Sequence, residues 1–319
     1  MKILANDGIS KAGELALQEA GIELLDNRVA QDHLIDFINE NNVDVLLVRS
    51  ATKVRQQLID ACPGLKIIGR GGIGMDNIDV EYAIEKGLYV INTPTASSRS
   101  VAELVFAHFF SLARFLHESN RMMPLEGETN FDVLKKSFSK AYELSGKTLG
   151  VIGFGSIGQE VVKIGISLGM KIKVLTRNPK TKTISLNFFD GQSVDFEITS
   201  TNDSEAFFKD TDFISINTPK TDGYIIDTNQ FELMKEGVYI VNTSRGGVIN
   251  EVTLLDYIDY GKVAGAALDV FESEPSPELI LLMNPNLSLT PHLGGNTIDA
   301  QEKIGVELAE QIIEIKKKL

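Results

Sequence analysis

The stretch TLGVIGFGSIG, residues 148–158, decides the fold of this chain. Its first five residues are mostly apolar and predict a buried strand, and its last six have the spacing Gly-x-Gly-x-x-Gly. Residues 159–168 follow at once with an apolar face and predict a helix. This order suits a dinucleotide, because its diphosphate can rest on the helix N-terminus. We predict cofactor contacts at Gly153, Gly155, Ser156, Ile157 and Gly158.

A second match to the same glycine spacing, at residues 69–74, lacks this context. Residues 75–79 follow it with Asp and Asn side chains that favour turns, so a helix is not expected directly after it. Successive backbone N–H groups in such a turn can surround a small anion. We predict a tight turn or an anion site here, and place the dinucleotide at the other match.

Apolar runs of strand length alternate with amphipathic segments of helix length. Strands separated by such helices form βαβ units and parallel sheets. The alternation restarts at residue 148, so we predict an α/β fold with two doubly wound parallel-sheet domains and a cleft between them. The predicted strands are Ile3–Ala5, Ile22–Leu25, Val43–Val48, Leu65–Ile68, Leu88–Asn92, Thr148–Ile152, Ile172–Leu175, Phe213–Ile216, Val238–Asn242, Val263–Leu268 and Asn286–Thr290.

Two segments interrupt the alternation. Residues 183–189 and 193–199 alternate apolar and polar side chains around Asp190-Gly191, which predicts a β-hairpin inserted in the second domain. Residues 100–117 predict a helix that is apolar on too many sides for the surface of a monomer. We expect that helix to be buried between the domains and against a second subunit, so a homodimer is predicted.

Composition excludes several classes of protein. The length of 319 residues suggests about two domains. The net charge of −13 argues against nucleic acids and anionic membranes as partners. No apolar run approaches the roughly 20 residues that span a bilayer, and the N-terminus lacks a signal-peptide core, so a soluble cytoplasmic protein is expected. The single cysteine excludes a disulfide framework and a thiolate metal cluster, and no metal is predicted.

Three chemically active side chains, Arg245, Glu274 and His292, each follow a predicted strand, where open α/β sheets bind ligands. Hydride transfer to a 2-oxo acid needs a cation for the carboxylate and carbonyl, and a proton for the forming alkoxide. A carboxylate on the far ring nitrogen orients the histidine and raises its pKa. We predict that these three residues are catalytic. The other histidines are expected in a core or interface (His108) and at the surface (His33 and His117).

The residue that would hold the adenosine ribose is unusual. A carboxylate is expected about 20 positions beyond the glycine turn, at the end of the next strand. Here the strand ends in Thr176 and Arg177 instead. Thr176 can bind a ribose hydroxyl, and Arg177 can pair with a 2′-phosphate or point into solvent. NAD is predicted, with NADP as the alternative.

The chain resembles the D-isomer-specific 2-hydroxyacid dehydrogenase family in residues 149–158, 242–247, 267–275 and 291–295. The resemblance implies that Arg245 orients the substrate, Glu274 partners the histidine and His292 is the acid–base group. It implies a Rossmann NAD(P)-binding domain at residues 98–291 and a flavodoxin-like substrate domain at 1–97 plus 292–319. The further cofactor contacts that it implies are Thr218, Thr243, Ser244, Asp269, Gly294 and Gly295, with Asp269 near the nicotinamide amide.

Within the family, residues 48–54, 69–79, 92–94 and 98–104 are most similar to the members that oxidise 3-phospho-D-glycerate to 3-phosphohydroxypyruvate at the entry to serine biosynthesis. A short form without a regulatory domain is expected. The resemblance implies that the substrate is bound by Arg49, Ser50, Gly72, Ile73 and Gly74. Two alternatives stay open: a glyoxylate, hydroxypyruvate or other small 2-oxo acid reductase, and, more remotely, a dinucleotide-sensing corepressor.

Overall fold

The computed structural model describes all residues from Met1 to Leu319 and divides the chain into two units. Unit 1 contains residues 1–98 and 295–319, and unit 2 contains residues 99–294. Both are parallel sheets flanked by helices, as the sequence predicts. None of the helices combines the length and the apolar character that a bilayer-spanning segment needs.

The first elements of unit 1 are β1 (Lys2–Ala5), α1 (Lys11–Glu19), β2 (Glu23–Leu25), α2 (Leu34–Glu40), β3 (Val45–Val48), α3 (Gln56–Ala61), β4 (Ile67–Arg70), α4 (Val80–Glu85) and β5 (Tyr89–Asn92). The strands form a parallel sheet in the order β2-β1-β3-β4-β5, the flavodoxin-like order. Every residue of the central strand β3 is buried, because helices cover both faces of the sheet. The C-terminal helix, Ile298–Lys316, packs so tightly on α1 that a Cβ added to Gly13 would lie 2.6 Å from Gly305 O.

The elements of unit 2 are α5 (Ser98–Ala113), α6 (Leu116–Glu126), α7 (Phe131–Ser137), β6 (Thr148–Ile152), α8 (Ser156–Ser167), β7 (Lys171–Leu175), β8 (Thr181–Asn187), β9 (Ser193–Thr199), α9 (Ser204–Lys209), β10 (Phe213–Ile216), α10 (Thr228–Leu233), β11 (Val238–Asn242), α11 (Glu251–Asp259), β12 (Val263–Leu268), α12 (Leu279–Met283) and β13 (Leu287–Leu289); the C-terminal helix is α13. Six of the strands form a parallel sheet in the order β13-β12-β11-β10-β6-β7. The order reverses between β6 and β10, and an open α/β sheet binds its ligand at the carboxyl ends of the strands beside such a reversal.

The inserted hairpin is confirmed as the antiparallel pair β8 and β9. It begins two residues earlier than predicted, because Thr181 pairs with Thr199. Ile184 is buried in the core that also contains side chains of α8. Lys182 Nζ lies 3.4 Å from Phe154 O, inside the glycine turn. The hairpin therefore braces α8 and the turn that precedes it.

The prediction of one helix over residues 100–117 is wrong at its C-terminal end. Helix α5 stops at Ala113, Phe115 adopts a left-handed conformation with φ +53°, and α6 begins at Leu116. Distant contacts impose the break: Tyr142 N donates to Ala113 O (2.9 Å), and the Phe115 ring packs on Phe138. Most apolar side chains of α5 are buried within unit 2, so burying them does not require a second subunit.

Candidate active site

The turn between β6 and α8 combines two crowded glycines with one that faces open space. Gly153 has φ +92°, and a Cβ there would lie 2.4 Å from Asn217 O. A Cβ on Gly158 would lie 2.1 Å from Gly153 O, so only glycine lets the helix approach the strand. Gly155 precedes the first residue of α8, Ser156, and a Cβ there would meet no atom within 4 Å. A dinucleotide diphosphate needs this tight turn, close packing and open approach.

Two predicted cofactor residues carry buried hydroxyls without a hydrogen-bond partner. Thr218 follows β10 and Thr243 follows β11, and the Oγ1 atoms of both are unpaired. Thr218 Cγ2 lies 3.1 Å from the position of a Cβ on Gly153, so this threonine is against the glycine turn. A buried unpaired hydroxyl costs roughly 1–3 kcal/mol. A bound dinucleotide with its hydroxyl and amide groups suits both positions, so the residues present fit this cofactor.

The strand β7 is followed by Thr176 and Arg177, where a dinucleotide site usually has a carboxylate for the ribose. Thr176 Oγ1 donates to Asn178 O in its own loop (3.0 Å) and lies 2.8 Å from Ser200 Oγ, just after β9. The hydroxyl hydrogen is thereby used, and Thr176 can only accept from a ribose hydroxyl. The Arg177 side chain is exposed. A negative charge that would repel a 2′-phosphate is missing at this strand end.

The structure brings Glu274 and His292 together, 18 residues apart in the chain. Glu274 Oε1 lies 2.7 Å from His292 Nδ1, and the two side chains are 39% and 42% exposed. A carboxylate on Nδ1 favours the tautomer with its proton there, and leaves Nε2 for another partner. The pair borders a cavity of about 430 Å³, which Phe271, Leu289 and Pro291 also line.

The loop that carries His292 is held by Asp269, which is fully buried at the end of β12. His292 N donates to Asp269 O (2.9 Å), Leu293 N to Oδ1 (2.7 Å) and Gly294 N to Oδ2 (2.9 Å). His292 has φ +54°, a left-handed conformation that costs an L-residue roughly 1–2 kcal/mol. The three bonds to Asp269 stabilise it. The expected contact of Asp269 with the nicotinamide amide stays a prediction.

Arg245 is half-buried in the loop after β11, the strand next to β12. Asn242 folds this loop: its Oδ1 accepts from Ser244 N (3.0 Å) and Oγ (2.8 Å), and its Nδ2 donates to Arg245 O (2.9 Å). Arg245 Nη1 donates to Ser244 O (2.6 Å). Sequence reasoning missed Asn242, although an amide at the last position of a buried strand is an available signal.

In unit 1, Arg49 and Ser50 line a cavity of about 390 Å³ at the carboxyl ends of β1 and β3. The strand order reverses between these two strands, so the cavity lies where a flavodoxin-like sheet binds its ligand. Arg28 also lines it and was missed, because it lies in a polar loop without a motif. Neither arginine side chain is in an ion pair.

Gly72, Ile73 and Gly74 do not line this cavity. Gly72 has φ +138° and lies against the Arg70 guanidinium, and Ile73 O accepts from Asn92 Nδ2 (2.9 Å). The next helix begins only at Val80. The first glycine match is therefore a turn without a helix N-terminus.

Comparisons with known proteins identify the family. Residues 106–294 match the model of the D-isomer specific 2-hydroxyacid dehydrogenase, NAD binding domain. A hydroxypyruvate reductase of Thermotoga maritima is 42% identical over 317 residues, which are 98% of this chain and 97% of that protein. The chain belongs to the D-isomer specific 2-hydroxyacid dehydrogenase family.

Other members of the family are similar over the same span. A D-3-phosphoglycerate dehydrogenase of Methanocaldococcus jannaschii is 40% identical over 98% of this chain but only 57% of its own length, so the chain spans little more than half of that relative. The crystal structure of a glyoxylate reductase from Paecilomyes thermophila has a TM-score of 0.80 and 27% identity, and the match covers 98% and 95% of the two chains.

Family membership confirms the resemblance, the fold class and the expectation of an oxidoreductase that acts on CH–OH with a nicotinamide dinucleotide. The roles of individual residues in this dehydrogenase stay predictions. His33 is exposed as expected, and His108 is buried. His117 is not a free surface residue, because its ring nitrogens bond to Ser111 Oγ (3.3 Å) and Pro285 O (3.0 Å).

Proposed function

We propose that this dehydrogenase interconverts a D-2-hydroxy acid and its 2-oxo acid, with His292 as the acid–base group, Glu274 as its partner and Arg245 as the cation for the substrate carboxylate and carbonyl. The observation that carries the proposal is the 2.7 Å contact between Glu274 Oε1 and His292 Nδ1. The carboxylate keeps the proton on Nδ1 and stabilises the imidazolium. Nε2 then gives its proton to the carbonyl oxygen in reduction and takes it back in oxidation.

The dinucleotide supplies or accepts the hydride when it is bound. The residues that hold it in this proposal are those of the glycine turn, with Thr218 and Thr243 as further contacts. NAD is the favoured cofactor, and NADP is the alternative because Thr176 replaces the usual carboxylate. Arg245 offers a planar pair of donors that matches a carboxylate and the adjacent carbonyl.

Replacement of His292 tests the catalytic assignment. His292→Ala should lower kcat by roughly 10²–10⁴-fold, the usual contribution of general acid–base catalysis. The Kd of NADH should change less than about twofold, because it is held mostly by the glycine turn. His33→Ala, at an exposed histidine of unit 1, is the control. Near-normal turnover in His292→Ala would contradict the assignment.

Glu274→Gln tests the pairing through the pH profile. Replacement by glutamine takes away a negative charge that favours the protonated form of the ring. In the oxidation direction His292 must be unprotonated, so the acidic limb of kcat/KM should move to lower pH. An unmoved limb would show that Glu274 does not act on the histidine.

For the substrate we propose 3-phospho-D-glycerate, with its phosphate in the unit 1 cavity beside Arg49 and Ser50. Support comes from the position of this cavity at the reversal of strand order, and from the side chains of Arg28 and Arg49, which are in no ion pair. Asp7 and Asp26 also line the cavity, and the Asp7 carboxylate accepts from the backbone N–H groups of Arg49 and Thr52. This reaction would be the first step of serine biosynthesis. Hydroxypyruvate is the second candidate, favoured by the 42% identical relative that the chain spans almost completely.

A substrate panel separates the two candidates. A phosphate carries up to two charges, so Arg49→Ala should lower kcat/KM for 3-phosphoglycerate by about tenfold or more relative to an unphosphorylated hydroxy acid. Lys53→Ala is the matched control, because Lys53 is exposed nearby but does not line the cavity. Equal losses on both substrates in Arg49→Ala would favour hydroxypyruvate or another small acid.

We also propose a homodimer through the predicted 100–117 segment together with helices α6 and α7, which pack on each other. Leu125, Phe131 and Val133 in these helices are 77%, 56% and 62% exposed. Large exposed apolar patches mark interaction sites in proteins. The double variant Leu125→Asp and Val133→Asp should sediment as a monomer, whereas Leu15→Asp in α1 should not change the sedimentation of the parent.

A further inference from the structure

Four polar side chains form a continuous hydrogen-bonded chain inside unit 2. Ser288 Oγ lies 3.0 Å from His108 Nδ1, His108 Nε2 lies 3.2 Å from Thr290 Oγ1, and Thr290 Oγ1 donates to Asp269 Oδ1 (2.6 Å). His108 is 4% exposed and Asp269 is fully buried. The catalytic proposal above uses neither His108 nor Ser288.

The chemistry of the four groups sets the direction of every bond. The Asp269 carboxylate only accepts, so the Thr290 hydrogen is committed to it and the Thr290 oxygen must accept from His108 Nε2–H. Burial lowers the pKa of His108 to about 4, so the ring is neutral at neutral pH and carries one proton. His108 Nδ1 must then accept from the Ser288 hydroxyl.

The far end of the chain is the loop that carries His292. Asp269 binds the backbone N–H groups of His292, Leu293 and Gly294, and so stabilises the left-handed conformation of His292. Its Oδ1 accepts from both Thr290 Oγ1 and Leu293 N. A rotation of the carboxylate would therefore disturb the loop.

We infer that His108 is a positioning residue for His292: as the Nε2–H tautomer it binds Thr290 and thereby holds the Asp269 carboxylate in the orientation that the 292–294 loop requires. This inference rests on the proposed acid–base role of His292.

The surroundings of His108 are polar although the helix around it is apolar. Its two ring nitrogens meet the hydroxyls of Ser288 and Thr290, whereas Phe106 and Phe109, on other sides of α5, belong to the apolar core of unit 2. A buried imidazole costs free energy unless both nitrogens are bonded, and here both are. The charged or titratable groups that act on it are Asp269, which raises its pKa, and His117, which lowers it; burial also lowers the pKa and outweighs the effect of Asp269.

The tautomer is tested by NMR of protein labelled with ¹⁵N-histidine. The inference predicts that His108 carries its proton on Nε2 and does not titrate between pH 5.5 and 8. The signal is assigned by its loss in His108→Gln. A proton on Nδ1, or a titration near pH 6.5, would overturn the inference without touching the proposed role of His292.

Kinetics test the consequence. His108→Phe keeps a planar ring but removes both polar nitrogens, and should lower kcat about tenfold while the Kd of NADH changes less than twofold. His108→Gln, whose amide both donates and accepts, should recover kcat to within about threefold of the parent. Full activity in His108→Phe, or equal damage in His108→Gln, would overturn the inference.

Two further variants keep the outcomes distinct. Thr290→Val removes the link itself and should lower kcat at least as much as His108→Phe. If His292→Ala retains turnover, the proposed function fails; if it abolishes turnover while His108→Phe and Thr290→Val keep full kcat, only the inference fails. Should His108→Phe not fold, Thr290→Val carries the kinetic test and Ser288→Ala the NMR test: Thr290 still requires His108 Nε2–H in Ser288→Ala, so a change of tautomer there would overturn the inference.

Discussion

The two glycine-rich turns, residues 69–74 and 153–158, have the same spacing but different surroundings. In the first, a Cβ on Gly69 would lie 2.5 Å from Leu47 Cδ2, and one on Gly71 would lie 3.1 Å from Ile304 Cγ2. These glycines let the sheet pack against core side chains and the C-terminal helix. In the second, Gly153 and Gly158 bring backbone against backbone, and Gly155 faces open space.

The difference shows that the glycine spacing alone does not make a dinucleotide site. A helix must begin directly after the turn, because its first N–H groups lack partners within the helix and attract the diphosphate. Helix α8 begins at Ser156, inside the second match, whereas α4 begins at Val80, six residues beyond the first match. The surroundings, and not the glycines, distinguish the turn that suits a dinucleotide from the turn that does not.

The largest expected effect is that of Gly158→Ala. The new Cβ would lie 2.1 Å from Gly153 O, so α8 must move away from the turn. Loss of two hydrogen bonds to a charged diphosphate, at roughly 1.5 kcal/mol each, should weaken NADH binding by about a hundredfold or more. Isothermal titration with NADH measures the effect. Unchanged affinity would mean that the second turn does not hold the cofactor.

Gly155→Ala sharpens the comparison, because the added Cβ meets no protein atom within 4 Å. The free energy of unfolding should stay the same within about 0.5 kcal/mol, while the methyl group obstructs the diphosphate and raises the Kd of NADH about tenfold. Denaturant unfolding and NADH titration of the same preparation give both values. A lower free energy of unfolding together with an unchanged Kd of NADH would mean that Gly155 is needed for packing and not for the diphosphate.

Thr176→Asp tests the ribose end of the same site. The parent should use NADP with an efficiency comparable to that for NAD, and the aspartate should restore discrimination against NADP by about tenfold, since about 1.4 kcal/mol of repulsion gives that factor. The measurement is kcat/KM with each cofactor. Arg177→Ala should change the ratio less than about threefold, because an exposed arginine is screened by water and salt.

A parent that already rejects NADP a hundredfold would contradict this reading of position 176. Another feature of the pocket would then exclude the 2′-phosphate.

The smallest effect on cofactor binding is expected for Gly69→Ala in the first turn. Its Cβ would contact Leu47 Cδ2 at 2.5 Å, so overpacking should lower the free energy of unfolding by roughly 1–3 kcal/mol. The Kd of NADH should change less than twofold. A tenfold loss of NADH affinity here would break the distinction between the two turns.

Sequence reasoning located the strands well because their patterns are local. The strands Thr148–Ile152, Phe213–Ile216, Val238–Asn242 and Val263–Leu268 were predicted to the residue. It failed at Phe115, where neither glycine nor proline marks the break in the helix and contacts with Phe138 and Tyr142 impose it. Propensity is weak compared with such tertiary contacts.

The residues of the candidate site likewise divide into those that local sequence patterns reveal and those that only the folded structure reveals. The glycine turn and the strand-end residues Glu274 and His292 were found because parallel strands bring their carboxyl ends to one edge of the sheet. Asn242 and Arg28 were missed, since their importance depends on which loop or cavity they face.

The sequence by itself determined the α/β fold and the turn that suits a dinucleotide, because hydrophobic periodicity and the backbone freedom of glycine act over neighbouring residues. Only the tertiary structure decided that Asp269 holds the loop of His292, and that His108 bonds to Ser288, 180 positions away. Such bonds depend on where distant segments meet in the folded chain. The direction of a hydrogen bond and the tautomer of a buried ring follow from that meeting and from no local pattern.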